Sequence, residues 1–150
     1  MKTHPALPTD AIAMSDLIKR WSHTFLDPSL SANIEAFYQK ISPRSLAQMV
    51  QNKEFVVLVA EDNGAFQGFI TLKNGTHISQ FFIEERVQRR GVGRRLWLAA
   101  NETTTARTFT VNANVSAVQF YEKLGFNASA GRTTQGALVF VPMHKHTHDA

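Results

Sequence analysis

Apolar residues recur at helical spacing through the first third of the chain. Ile12, Leu17, Ile18, Trp21 and Phe25 share one face of a helix predicted over residues 11–25, with Thr9 or Asp10 as its N-cap. Residues 31–39 and 43–51 read as shorter helices. In the latter, Ser42 is placed to cap, Pro43 takes the first helical position, and Leu46, Met49 and Val50 follow at helical intervals. The pattern then changes to strands. Residues 54–61 form a valine-rich run, Asp62-Asn63-Gly64 is a hairpin turn signal, and residues 66–72 are the partner strand. Lys73-Asn74-Gly75 repeats the turn before a strand over 77–83, which gives an antiparallel meander.

Helical spacing returns in residues 94–100, through Leu96, Trp97 and Ala100. A short strand over 108–111 follows, and its helical crossover implies parallel pairing with the 77–83 strand. Ala117, Val118, Phe120, Tyr121 and Leu124 form the stripe of a further helix, with Asn114 at the N-cap and Gly125 at a left-handed C′ position. On these residues alone, Asn114 reads as a cap and Tyr121 as a core side chain. Residues 127–132 and 137–143 are expected to close the sheet as a hairpin around Gly136. A first strand is hard to place, because Pro5 and Pro8 interrupt residues 1–9. The helix after Gly93 is expected to be abbreviated, since residues 101–106 are poor in helix formers. The tail His144-Lys145-His146-Thr147-His148 is expected to fray rather than to hold a metal. With no repeat or linker in view, residues 1–150 read as one domain of mixed α/β (α+β) class.

Composition narrows the chemistry. Of 150 residues, 43% are apolar, enough for a substantial core. The absence of cysteine excludes disulfides, thiolate metal ligands and a cysteine acyl-enzyme. The longest apolar run, residues 55–60, is too short for a bilayer, and residues 1–5 lead into no signal-peptide core, so a cytoplasmic protein without a membrane partner is expected. The net charge of +4 raises a nucleic-acid reading. The basic residues, however, concentrate in 86–95 without interleaved aromatics, so nucleic acid is not the expected partner.

That basic stretch holds the chain's most specific signal. In Gln88-Arg89-Arg90-Gly91-Val92-Gly93, two glycines at alternate positions permit a tight turn and close backbone approach to a ligand. The helix that follows would aim unpaired amides and a positive dipole end at an anion. Arg86, Arg89, Arg90, Arg94 and Arg95 crowd this turn, and a polyanion would relieve their mutual repulsion. Leu96 breaks the dinucleotide fingerprint, and no Gly-Lys-Ser/Thr follows to make a P-loop.

The hexapeptide resembles the acetyl-CoA-binding motif Gln/Arg-x-x-Gly-x-Gly/Ala of the GNAT superfamily of N-acetyltransferases. Residues 114–126, running from Asn114 through Ala117, Phe120 and Tyr121 to Gly125 and Phe126, resemble that family's Asn-x-x-Ala-x-x-Phe-Tyr-x-x-x-Gly-Phe block. The two motifs, in the right order, cover roughly the C-terminal half. The resemblance implies a mostly antiparallel central sheet flanked by helices, with a splayed parallel strand pair that holds acetyl-CoA (coenzyme A). It also implies direct acetyl transfer to a primary amine, a small molecule or a peptide, without an acyl-enzyme. It places the backbone of Phe81 and Ile83 on the thioester and pantetheine, with the Phe81 amide as an oxyanion donor. Gln88, Arg89, Arg90, Gly91, Val92, Gly93 and Arg94 fall at the diphosphate, and Asn114 at the pantetheine arm. Tyr121 matches the family's general acid. His77 stands where some members carry a glutamate base, although it also reads as a residue that merely opens a strand. Glu84 and Glu85 read as charge partners of the arginines.

In such folds the first helices shape the acceptor site, here with Trp21, His23, Phe25, Asp27, Glu35, Phe37 and Tyr38 to offer. The acceptor itself stays open, and a homodimer is an allowed assembly. The alternatives to an enzyme are a catalytically silent acyl-CoA-binding module and, further off, a basic nucleic-acid-binding protein.

Overall fold

The computed structural model describes residues 1–147. Its centre is the meander β2 (Phe55–Asp62), β3 (Ala65–Lys73) and β4 (His77–Ile83), each strand antiparallel to the next. Both connecting turns place two successive residues at positive φ, Asn63 (52°) with Gly64 (81°) and Asn74 (53°) with Gly75 (72°). Turns of this hand match the right-handed twist of the strands they join.

β5 (Thr108–Ala113) lies parallel to β4, and β8 (Leu138–His146) runs antiparallel to β5. The two-residue β6 (Asn127–Ala128) and the short β7 (Thr133–Gln135) both pair with β8. The closing hairpin is therefore β7–β8, narrower than the one expected. Residues 129–132, Ser-Ala-Gly-Arg, lie outside any strand between β6 and β7.

The N-terminal expectation is corrected. β1 (Lys2–Pro5) pairs antiparallel with β2 along its whole length. It is the edge of the sheet and Pro5 is its last residue, a place where a missing N–H is tolerated. The tail is corrected too. His144, Lys145 and His146 belong to β8, paired to Thr110, Phe109 and Thr108, so the expected fraying does not reach them. His148 lies outside the described residues, and among the described ones no group of three or more His, Asp or Glu side chains could hold a metal.

Residues alternate across the strands and so divide the core in two. Leu58 and Ala60 of β2 join Ile70 and Leu72 of β3 against Leu96 and Trp97 of α4 (Val92–Asn101), with Tyr121 of α5 (Val118–Lys123) in the same cluster. Trp97 meets Phe109 and Phe126 edge-on, at 5.0 and 5.5 Å between ring centroids. Val57, Val59 and Phe69 point to the opposite face, towards Met14, Leu17 and Ile18 of α1 (Ala11–Trp21) and Leu46 of α3 (Pro43–Gln51). α2 (Ser31–Lys40) adds Phe37 and Tyr38 at the margin of that cluster.

α1 ends four residues before the expected boundary, in a 3₁₀ turn over Ser22–Thr24. The cause is local. The hydroxyls of Ser22 and Thr24 bond back to the carbonyls of Lys19 (2.7 Å) and Trp21 (2.6 Å), which offers the backbone an alternative to further helix. The helix after the glycine turn is a full ten residues, longer than expected, with Thr103 Oγ1 bonded to the Ala100 carbonyl just past its end.

Among the described residues, Ser15 Oγ is the one sealed side-chain polar atom without a partner. A desolvated hydroxyl with no hydrogen bond opposes folding by about 1–3 kcal/mol. Ser15→Ala is expected to raise stability by about 1 kcal/mol. Urea unfolding midpoints of the two proteins check it, and a lowered midpoint would show that the hydroxyl is satisfied.

Candidate active site

The parallel ladder between β4 and β5 is two pairs long, His77 with Thr110 and Ile78 with Val111. It stops because β4 carries a bulge. Thr71 faces Gln80 and Leu72 faces Ile78, so Ser79 has no opposite number on β3. An inserted residue bends its strand. Beyond the bulge β4 follows β3, while β5 stays with β8 as far as Ala113, and a wedge opens between the two.

The direction of the backbone groups inside the wedge follows from parity. The Glu84 amide donates to the Gln67 carbonyl at 2.9 Å. In an antiparallel pair, hydrogen-bonded positions alternate with those whose N–H and C=O point the other way. Positions 84, 82 and 80 therefore address β3, and Phe81 and Ile83 turn their polar groups into the wedge. The Ile83 carbonyl accepts from Trp21 Nε1 at 2.9 Å. Sequence reasoning missed this contact. The two residues are 62 positions apart, and no local pattern links them.

A 3₁₀ turn over Glu85–Val87 leads from β4 to the glycine loop. Gln88 is extended, Arg89 takes φ 65° and Gly91 takes φ 82°, after which α4 begins. Among the described residues, no acceptor is bonded to the amides of Arg89, Arg90, Gly91, Val92, Gly93 and Arg94, and the helix has no side-chain cap. Gly93 is required by packing. A Cβ there would lie 2.8 Å from Cζ of Phe120. Gly91 faces open space, and its need for glycine is conformational.

Arg89, Arg90 and Arg94 are exposed, and no acidic partner for them occurs among the described residues. Arg86 and Arg95 reach the carbonyls of Phe66 (3.2 Å) and Met1 (3.1 Å). Glu84 does not pair with this cluster. Its carboxylate meets Arg20 of α1 at 2.6 Å, and Glu85 has no ion pair among the described residues.

Tyr121 sits behind the wedge with its ring buried, near Phe81, Phe120 and Phe126 at centroid distances of 6.1, 5.4 and 5.5 Å. Burial pushes its hydroxyl well above the ordinary tyrosine value, so it stays protonated. Among the described residues that hydroxyl has no hydrogen-bond partner.

His77 opens β4, with Nδ1 2.8 Å from Thr110 Oγ1. Burial first, and the charge of Lys73 second, hold its pKa below the ordinary histidine value. Asn114 caps the 3₁₀ turn over Val115–Ala117, accepting from the Ser116 amide at 3.0 Å, and donates through Nδ2 to Thr24 Oγ1 at 2.6 Å. Of the residues expected near the acceptor, Phe25 and Phe37 pack on each other in the core at 5.5 Å. Trp21 and His23 instead line a cleft of about 420 Å³ beside Arg20, Glu84 and Glu85.

A family model described as an acetyltransferase (GNAT) domain matches residues 25–147. An uncharacterized N-acetyltransferase of Bacillus subtilis (strain 168), YhfO, is 26% identical over 146 residues, spanning 87% of this chain and 93% of that protein. Among solved structures, a GCN5-related N-acetyltransferase from Rhodopseudomonas palustris superposes with a TM-score of 0.76 at 22% identity, over 97% of this chain and 94% of the other. The PaiA N-acetyltransferase of Thermoplasma acidophilum, solved in complex with coenzyme A, gives 0.75 at 17% identity over 97% and 99%. At such identities these two likenesses show the shared fold. With the family match extending over most of its length, and with a splayed strand pair beside an unbonded run of amides, the chain belongs to the GNAT acetyltransferase family.

Proposed function

We propose that the protein transfers the acetyl group of acetyl-CoA to a primary amine by direct attack. The observation that carries this reading is the run of six unbonded amides, Arg89 to Arg94, at the mouth of the wedge between β4 and β5. Convergent N–H groups at a helix N-terminus suit a diphosphate, and the exposed Arg89, Arg90 and Arg94 supply matching charge. The PaiA protein, of the same fold, is described with coenzyme A bound. Acetyl-CoA supplies an activated thioester, and the chain does the rest.

The amides of Phe81 and Ile83 face the arm in the wedge, and the Phe81 amide donates to the carbonyl oxygen as negative charge develops there. Tyr121 donates a hydrogen bond to the departing sulfur. Its raised pKa keeps that proton in place, and the proton the thiol finally carries is one the attacking amine gives up. His77 is the proton acceptor. Its lowered pKa leaves the ring neutral near pH 7, and the tautomer in which Nδ1 donates to Thr110 Oγ1 is the one whose lone pair sits on Nε2 and serves this role. Four strand positions separate it from Phe81, roughly 13 Å. Its proton therefore comes through water.

Calorimetry is expected to show acetyl-CoA binding, weakened at least about tenfold in Gly93→Ala because the new Cβ must displace Phe120. No binding heat from the unaltered protein would overturn the reading. Turnover is found by screening pooled amines for thiol release, and binding without any turnover would favour the silent module. Tyr121→Phe is expected to lower kcat by ~10²-fold while acetyl-CoA affinity stays the same. Unchanged turnover would remove Tyr121 from the chemistry. In the unaltered enzyme, rate rises with pH through the depressed His77 pKa as the ring loses its proton. His77→Ala is expected to abolish that acidic limb, and a pH–rate profile that keeps it would place the base elsewhere.

A further inference from the structure

We infer that Asn114 is a positioning residue of the acceptor side, which pins the segment after α1 across the wedge through Thr24. The inference rests on the reading that the wedge holds the acetyl-CoA arm.

Residues 20–27 leave α1 and cross the end of the wedge as a strap. On the β4 lip, Arg20 meets Glu84 at 2.6 Å and Trp21 Nε1 donates to the Ile83 carbonyl at 2.9 Å. Further along, the Val139 amide donates to the Phe25 carbonyl and the Asp27 amide donates to the Ala137 carbonyl, both at 2.8 Å, which fastens the strap to the β7–β8 hairpin. The β5 lip has a different tie. Among the hydrogen bonds of the described residues, the one joining the strap to the turn after β5 runs from Asn114 Nδ2 to Thr24 Oγ1 at 2.6 Å. Thr24 passes the connection on by donating to the Trp21 carbonyl, also at 2.6 Å.

Three of the four hydrogen-bonding positions of the Asn114 amide are committed, and one N–H remains free. A primary amide offers two donors and two acceptor lone pairs. Here Oδ1 accepts from both the amide and the hydroxyl of Ser116, at 3.0 and 2.9 Å, and one N–H goes to Thr24. Turning the side chain towards a ligand in the wedge would release the cap and the strap together. The strap carries Trp21 and His23 into the cleft beside Glu84. Its height above the wedge, set at one lip by Trp21 and at the other by Asn114, governs the room left for an incoming amine.

The test uses Asn114→Ala, Thr24→Val and Thr24→Ser, read by amide hydrogen exchange and by acetyl-CoA calorimetry. Asn114→Ala and Thr24→Val are each expected to speed exchange over residues 22–27 about five- to tenfold. The double variant should go no further than either single one, because both remove the same bond. Thr24→Ser, which keeps the hydroxyl, should restore slow exchange. Acetyl-CoA affinity should stay within about twofold in both Thr24 variants. With any amine the enzyme turns over, Thr24→Val should raise KM for the amine and leave KM for acetyl-CoA unchanged, and Thr24→Ser should return the unaltered values of both. Thr24→Val indistinguishable from the unaltered protein, in exchange over residues 22–27 and in KM for the amine, would overturn the inference. An unaltered protein that gave no heat with acetyl-CoA would fail the functional reading, and the exchange rates would still decide whether the tie exists.

Discussion

The early end of the β4–β5 ladder is the constraint on which the site depends. Two parallel pairs hold the strands together, and the extra residue at Ser79 then bends β4 away while β5 stays with β8. Backbone groups in a sheet interior are normally consumed by their neighbours. Here the parting leaves the polar groups of Phe81 and the N–H of Ile83 without a neighbouring strand, inside a fold whose two hydrophobic faces are otherwise closed. The wedge and its chemistry are therefore one feature. A continuous ladder would satisfy the same groups.

A second set of unsatisfied groups completes the arrangement. The N-terminal turn of α4 has no side-chain cap, and its amides come after a loop held by positive φ at Arg89 and Gly91. Such a helix end is costly to the isolated protein and is offset when an anion arrives. The exposed arginines act in the same direction, since their mutual repulsion is relieved by the same charge. Tyr121 differs in kind. Its ring fills the cluster behind the sheet, and burial holds its hydroxyl protonated.

How much of this the sequence disclosed depends on how far apart the partners lie. The Asn-Gly turns, the glycine loop and the stripe from Ala117 to Leu124 are written in neighbouring residues, and the meander, α4 and the region of α5 follow from them. Gln88 to Gly93 and the block from Asn114 to Phe126 were specific enough to point to the family. The bulge at Ser79 left no mark, because neither glycine nor proline stands there. β1 was obscured by Pro5, whose missing N–H matters only if the strand is interior, and edge position is a property of the whole sheet. The bonds from Trp21 to Ile83 and from Asn114 to Thr24 join residues 62 and 90 positions apart, and no periodicity reports such pairs. Asn114 shows this most clearly, since its capping role was legible and its bond to Thr24 was not.

The contact between Gly93 and Phe120 has a metric consequence. The first turn of α4 sits flush against Phe120, and the next residue along α5 is Tyr121. The uncapped amides and the phenol behind the wedge thus belong to one rigid block, whose spacing is fixed by a backbone pressed on an aromatic edge. On the proposed function that block works as a caliper: a donor would be engaged at both jaws only when the chain between its diphosphate and its sulfur has the matching length, and a truncated carrier would fill one jaw or the other but not both.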